Sequence, residues 1–380
     1  MLWGFLGYRT QLATGLAVSG LSDQVPWGLY VGNFLFLVGI AASAIILTAA
    51  VQWLHRHDLA PALIPAKLLA IVSVFMSLLF ILADLGHPER IWHALPVIGG
   101  LHFPTSILAW DILALSSYLI LNIAAVFYHH RRQKHSPPDH PASTNLEAGA
   151  AFLLGLSIHT TTAFILAGLP ARPLWNSAIL APKFIISAFA AGSAMMFLLF
   201  KISEIHFSLA LPASLYRFLS RTLVVTLLGY FFLLGSELFV DLYSPAYHSR
   251  SAVHLYLGKT PHAFWTDWIY LALGMITLAT VLLLHPRLKI RPFFQYMAAL
   301  SVLFGVWMEK GLGLLMPGLV PTPLGEWAPY HPTGVEIRTS LAIYALGAWL
   351  LTLLLRKFLW QHQLSLPAVT ASTPPLDLHH

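Results

Sequence analysis

Cysteine is absent from this chain of 380 residues, and charge is scarce, with only 9% Asp, Glu, Lys and Arg. Without thiols there is no disulfide framework and no iron–sulfur cluster held by the chain's own thiolates. Soluble domains carry roughly 25% charged residues, and a water-facing surface cannot be assembled from about a third of that supply. A soluble enzyme, a chain that is disordered throughout and a coiled coil are therefore excluded. What is present lies at the opposite extreme: 57% hydrophobic residues and a mean hydropathy of +0.73. This is the composition of a polytopic integral membrane protein. Its 21 Lys and Arg and 15 Asp and Glu are the informative minority.

A hydrocarbon core about 30 Å thick needs roughly 20 apolar residues per helix. Nine such runs can be cut from the chain, at 29–53, 66–86, 104–128, 148–169, 180–201, 218–240, 265–285, 293–313 and 337–358. Each is rich in Leu, Ala, Ile, Val and Phe and bracketed by charge, Pro or Gly. They predict an all-α bundle rather than the weakly alternating strands of a barrel. Residues 1–28 read as a partial helix or interfacial segment, without a cleavable signal peptide. A first helical bundle is expected over 29–201 and a second over 202–358, each a four-helix unit in outline. Residues 131–147 read as a polar linker and 359–380 as a disordered tail. The Trp-, Tyr- and Pro-rich loops 241–264 and 314–336 suit folded caps.

Charge placement orients the bundle. Side A comprises the loops after runs one, three, five and seven plus the C-terminal tail. Together with nearby run ends it holds 13 Lys and Arg against 5 Asp and Glu, and side B holds 8 against 10. The positive-inside rule makes side A cytoplasmic and side B periplasmic, in a bacterial inner membrane. The basic excess is thus a topology signal, with the lipid bilayer as its partner and no nucleic acid implied.

Ionisable groups inside a bilayer cost a few kcal/mol or more unless paired or wet. The candidates are Asp84, Asp111, His159, Lys183, Glu237, Glu309 and Lys310. All lie at or near side B except the deeper His159, which Thr160, Thr161 and Thr162 follow; the side-A half reads as nearly uncharged within the runs. Acids, a His, a Lys and hydroxyls near one face can bind a polar headgroup and move protons. An apolar bundle around them can hold a hydrophobic tail. A quinone has both parts: His159 or Lys183 could donate to a carbonyl while Asp84 or Asp111 exchanges the proton. The plainer readings are helix-end charges, an Arg90 ion pair with Asp84 or Glu89, and helix–helix hydrogen bonds for Asp111 and His159. Of the 19 histidines only His159 lies deep in a run, so a bis-His haem is not expected. No recognisable metal spacing is present either.

At these residues the sequence resembles the NrfD/polysulfide-reductase membrane subunit family, most closely its long branch, which includes the hydrogenase-2 membrane subunit. The similarity is carried by Pro26-Trp27-Gly28-Leu29-Tyr30 and by Asp84-Leu85-Gly86-His87-Pro88-Glu89-Arg90. Ile158-His159-Thr160, Ala171-Arg172-Pro173-Leu174-Trp175 and Ala181-Pro182-Lys183-Phe184 continue it, as do Pro317-Gly318, Leu324-Gly325-Glu326 and Glu336. The resemblance implies a subunit without its own haem or iron–sulfur cluster. Such a subunit exchanges electrons between menaquinone or ubiquinone and a periplasmic ferredoxin-like iron–sulfur subunit, with further cytochrome or membrane subunits in some complexes. It implies a quinone site near side B of the first bundle. By position, Asp84, Asp111 and His159 carry the catalytic roles, with His159, Lys183, Asp84, Arg90 and Thr162 binding the quinone. Arg172 and Glu326 fall in loops shaping the site or the partner interface, and proton movement would involve Glu237 and Glu309. Relatives of this branch have ten spans, so the first helix here reads as truncated and Met1 as a misplaced start. The alternatives are a proton-coupled secondary transporter, marked by broken mid-span helices, and a cofactor-free anchor for a redox partner.

Overall fold

The computed structural model describes residues 2–94, 99–135, 144–207, 211–243, 249–258, 264–322, 324–326 and 328–363. The centre of the 131–147 linker and the tail beyond residue 363 lie outside the described residues. Among those described, all regular secondary structure is helical. Nine of the described helices are long and apolar enough to cross a membrane: Leu29–Gln52, His57–Asp84, Ile107–Arg131, Asn145–Ala167, Leu180–Phe207, Ala213–Tyr243, Phe264–Leu284, Pro292–Leu319 and Gly334–Phe358. They match the nine expected runs, and the chain is a multi-pass integral membrane protein.

Two spans depart from the expectation of unbroken helices. Span one is α2 (Leu29–Ala41) followed by α3 (Ser43–Gln52), interrupted at Ala42. Span eight is α11 (Pro292–Lys310) followed by α12 (Leu312–Leu319), interrupted at Gly311, whose backbone leaves the helical region. Span eight therefore runs six residues beyond its expected end. The sequence conceals both breaks because the flanking residues remain apolar. In each case a neighbour answers the interruption: Tyr118 Oη donates to Ala41 O at 2.9 Å, and Gly311 packs directly on Gly32.

The remaining helices are α1 (Leu2–Thr14), α4 (Leu63–Asp84), α5 (Ile107–His135), α6 (Asn145–Ala167), α7 (Leu180–Phe207), α8 (Ala213–Tyr243), α9 (Arg250–Leu257), α10 (Phe264–Leu284) and α13 (Gly334–Gln363). Span one is the hub. α2 packs on α4, α7 and α11, while α3 reaches α4, α6 and α7. α10 and α11 form an antiparallel pair that leans on α7, and α8 lies along α7. α13 crosses back onto α4 and carries α1 on its outer side. Among lipid tails helices associate by close packing rather than by hydrophobic exclusion. The run Ser187–Ala194 accordingly presents small residues, and Gly192 and Ala188 lie against Ser43 and Gly39. Large apolar side chains cover the outer faces, such as Val225 and Phe232 on α8 and Trp349 on α13.

Loops close side B. α12 folds under the 168–179 loop, where Gly318 abuts the Trp175 ring so tightly that a Cβ would sit 2.0 Å from it. Trp175 Nε1 donates to Leu314 O at 2.9 Å, and Arg172 Nη1 to Leu319 O at 2.6 Å, satisfying a carbonyl at the helix end. The α13 start is a capping box, Thr333 with Glu336 three residues on. The buried Glu336 carboxylate also accepts from Tyr330 Oη at 2.8 Å and from Gly20 N at 2.9 Å, tying the N-terminal segment to the last span.

Side A corrects the expectation of an uncharged half. Lys67, 1% exposed, meets Glu147 at 2.9 Å, and His129 meets the same carboxylate oxygen at 3.0 Å. Lys67 stands in the second turn of α4, Glu147 in the first turn of α6 and His129 near the end of α5, and sequence reading singles out none of the three. Removing one member strands the other in apolar surroundings. Glu147→Ala is expected to cost about 3–5 kcal/mol, read as a lower unfolding midpoint in detergent, with Lys67→Met in the same chain restoring most of it. Glu336→Ala is expected to lower stability by about 3 kcal/mol and to speed proteolysis within residues 15–28; unchanged cleavage there would refute the tie.

Candidate functional site

The first cluster forms where α5 meets α6. Asp111, in the second turn of α5, is fully buried. Its Oδ1 accepts from Thr162 Oγ1 at 2.7 Å and from Thr161 Oγ1 at 2.8 Å, so consecutive hydroxyls of α6 converge on one oxygen. The second oxygen, Oδ2, is buried with no protein partner. One turn deeper on α6, His159 shares a face with Thr162, because residues three apart on a helix are neighbours. Its Nδ1 lies 2.6 Å from Gly155 O. A carbonyl only accepts, so Nδ1 carries the hydrogen and Nε2 presents a lone pair in the neutral ring. Nε2 is likewise buried without a partner. His159 also approaches the Gly39 backbone of α2 and lies within electrostatic range of Lys310.

These two orphans are the chemically open positions of the cluster. A buried polar atom without a partner is costly, and such atoms in a native fold call for an explanation. A carboxylate oxygen beside Thr162 and an imidazole nitrogen on the residue one turn along the same face of α6 can accept two hydroxyl protons and later return them.

The second cluster lies at the side-B ends of α7, α8 and α11. Lys183 Nζ is 2.9 Å from Glu237 Oε2 and 3.1 Å from Glu309 Oε1. One ammonium faces two carboxylates, all three nearly buried, and the group carries a formal charge of −1. They line a small cleft with Asp241 and Tyr256, with about 10 Å³ of interior space, roughly what one water needs. Sequence reasoning singles out all three residues but puts Lys183 at the headgroup, whereas here it bridges two acids.

Asp84 and Arg90 stand apart. Asp84 ends α4 with Oδ1 buried and unpartnered, within electrostatic range of Glu336 and Tyr30. Tyr30 Oη donates to Gln11 Oε1 at 2.7 Å, and Gln11 Nε2 caps Ala83 O at 2.6 Å. Burial and the facing Glu336 hold the Tyr330 hydroxyl well above the usual phenol range, so it remains a donor. Arg90 is exposed on the 3-10 turn Pro88–Ala94 and pairs with neither Asp84 nor Glu89; Glu89 instead meets His87 at 2.9 Å. Thus Asp111, His159 and Thr162 come together, Lys183 joins the acids, and Asp84 and Arg90 join neither group. Sequence reasoning misses Thr161 as a site residue and Glu336 as a scaffold residue, although the Thr160–Thr162 run and the capping-box spacing at 333–336 announce them. Among the described residues no three His, Asp or Glu side chains gather to hold a metal ion.

The chain as a whole is similar to membrane subunits of several known complexes. The chain is 24% identical to a selenate reductase subunit of Mesobacillus selenatarsenatis over 83% of its own length and 79% of that protein. It is 25% identical to the Hdr-like menaquinol oxidoreductase integral membrane subunit of Archaeoglobus fulgidus, over 75% and 68% of the two chains. With the menaquinone reductase integral membrane subunit of Nitratidesulfovibrio vulgaris it shares 22% identity over 92% and 87%. The family model described as polysulphide reductase, NrfD, matches residues 17–322, which takes in both clusters and every helix from α2 to α12. With eight of its nine candidate spans and both side-B polar clusters inside that match, the chain belongs to the NrfD polysulphide reductase family of membrane proteins.

Proposed function

We propose that this chain is the quinone-reactive membrane subunit of a respiratory or sulfur-metabolising redox complex. It exchanges electrons between menaquinone or ubiquinone and an iron–sulfur subunit docked on side B, the periplasmic face of an inner membrane. The observation that carries the reading is the pair of buried, unpartnered proton acceptors, Asp111 Oδ2 and His159 Nε2, on one face of the α5–α6 junction. Relatives named as menaquinol oxidoreductase and menaquinone reductase membrane subunits support it.

A quinol headgroup has two hydroxyls. His159 Nε2 accepts one hydrogen bond and Asp111 the other, with Thr161 and Thr162 holding the carboxylate in place. Oxidation releases two electrons and two protons: the electrons leave for the partner's clusters, and the protons pass to His159 and Asp111. In the reverse direction the same groups, once protonated, donate to the quinone carbonyls. A cofactor-free anchor would have no need of the orphaned pair. The broken spans one and eight favour a secondary carrier in one respect, but the named relatives are subunits of oxidoreductases.

Asp111→Asn and His159→Ala are each expected to reduce quinol-linked electron flow by about a hundredfold in membranes containing normal amounts of the complex. Normal turnover in the combined variant would remove both residues from the site. Sidedness has a direct readout, because the chain has no cysteine of its own. A cysteine at Glu326 should react with an impermeant maleimide added outside intact spheroplasts, and one at Arg131 only after lysis. The opposite pattern would invert the proposed orientation.

A further inference from the structure

Three lysines are buried among the described residues: Lys67, Lys183 and Lys310. Two are answered by carboxylates, Lys67 by Glu147 and Lys183 by Glu237 and Glu309. Lys310, 2% exposed, has no carboxylate within ion-pair distance among the described residues. Its Nζ donates to Phe184 O at 3.3 Å and lies 4.2 Å from the centre of the Phe184 ring. Leaving a buried cation without a counter-ion is expensive, and this chain avoids it at the other two positions.

Where Lys310 stands suggests a reason. It ends α11, where the helix dipole tolerates a cation, and consecutive residues there diverge by about 100° around the axis. Glu309 turns to Lys183 and the side-B cleft, while Lys310 turns inward to α2, α6 and α7. A Cβ on Gly39 would sit 3.5 Å from Lys310 Nζ, and His159 approaches the same Gly39 backbone. The amine therefore occupies the space between the His159 cluster and the Lys183–Glu237–Glu309 cluster, which otherwise share no hydrogen bond or ion pair among the described residues. The other two ammonium groups are each engaged by carboxylates at ion-pair distance. Lys310 has no such anchor and can take up a proton or hand one on.

We infer that Lys310 is the proton relay joining the His159 headgroup site to the acid-lined side-B cleft. Resting on the quinone reading, this assigns the route of one of the two quinol protons. The proton leaves the hydroxyl for His159 Nε2 and passes to the Lys310 amine; as that flexible side chain swings from Phe184 O to the adjacent Glu309, the proton crosses to its carboxylate and exits through Glu237 at the cleft lined by Asp241 and Tyr256. The electrons follow separately to the partner subunit. A return stroke runs the same sequence backwards, so each carrier ends in its starting protonation state.

The test uses the intact complex in native membranes with the variants Lys310→Met and Lys310→Arg. The readouts are fluorescence-quenching titration with a quinol-analogue inhibitor and quinol oxidation measured across pH. Both variants are expected to bind the analogue within about threefold of the parent, to lose at least about tenfold in turnover, and to show an altered pH profile. Arginine keeps the charge but does not give up its proton; parental turnover in Lys310→Arg would reduce Lys310 to a structural cation and overturn the relay, as would parental turnover in Lys310→Met. Should neither variant accumulate, Glu237→Gln at the cleft carries the test: retained binding with slowed turnover supports the route, and unchanged turnover overturns it. A parent complex that binds no analogue would overturn the quinone reading itself, an outcome distinct from binding that survives with turnover unchanged.

Discussion

Matching charge inside an apolar bundle is the constraint on which the rest of this structure depends. Neither lipid tails nor packed leucines can solvate an ion, so each buried charge must meet a counterpart or be held by dipoles. At side A, Lys67, Glu147 and His129 join α4, α5 and α6 through one carboxylate oxygen. At side B, Lys183 draws Glu237 and Glu309 together and so fixes the ends of α7, α8 and α11 relative to each other. Glu336 does the same for the loop before α2 and the start of α13. Close packing of small residues holds the spans side by side, and these polar ties set their register at both membrane faces.

The exceptions to that matching define the proposed chemistry. Asp111 keeps one satisfied and one orphaned oxygen, because Thr161 and Thr162 both address Oδ1. His159 spends one nitrogen on Gly155 and presents the other to the interior. Lys310 goes without a carboxylate between two clusters that are otherwise separate. Each of these costs stability where it stands, and all lie toward side B around the broken, deeply buried spans one and eight. The breaks belong to the same design. Ending α11 at Lys310 lets Glu309 and Lys310 point in different directions, and α12 can then fold beneath Trp175 and wall the Lys183 cleft.

Much of this is legible in the sequence, for identifiable reasons. Hydrophobic runs of sufficient length have one stable outcome in a bilayer, so the nine spans follow from hydropathy alone. Asp111, His159 and Lys183 are visible as costly residues, since any ionisable group within an apolar run attracts attention. Their grouping is not visible. Lys183 looks like a headgroup donor because only three-dimensional packing brings it to Glu237, 54 residues away. Lys67 and Glu147 go unremarked because a linear reading cannot show that neighbouring helices bring them together and cover them. The breaks at Ala42 and Gly311 are hidden because their flanking residues stay apolar.

Sequence alone determined that this protein lives in a membrane, where its nine apolar runs lie, and which few residues carry the energetic burden. Composition and run length decide those points through solvation, a property each residue largely carries with it. Tertiary structure alone decided which of those residues are neutralised and which are left open. That depends on which faces of non-adjacent helices meet, and pairing across a bundle is a property of packing that no single run contains.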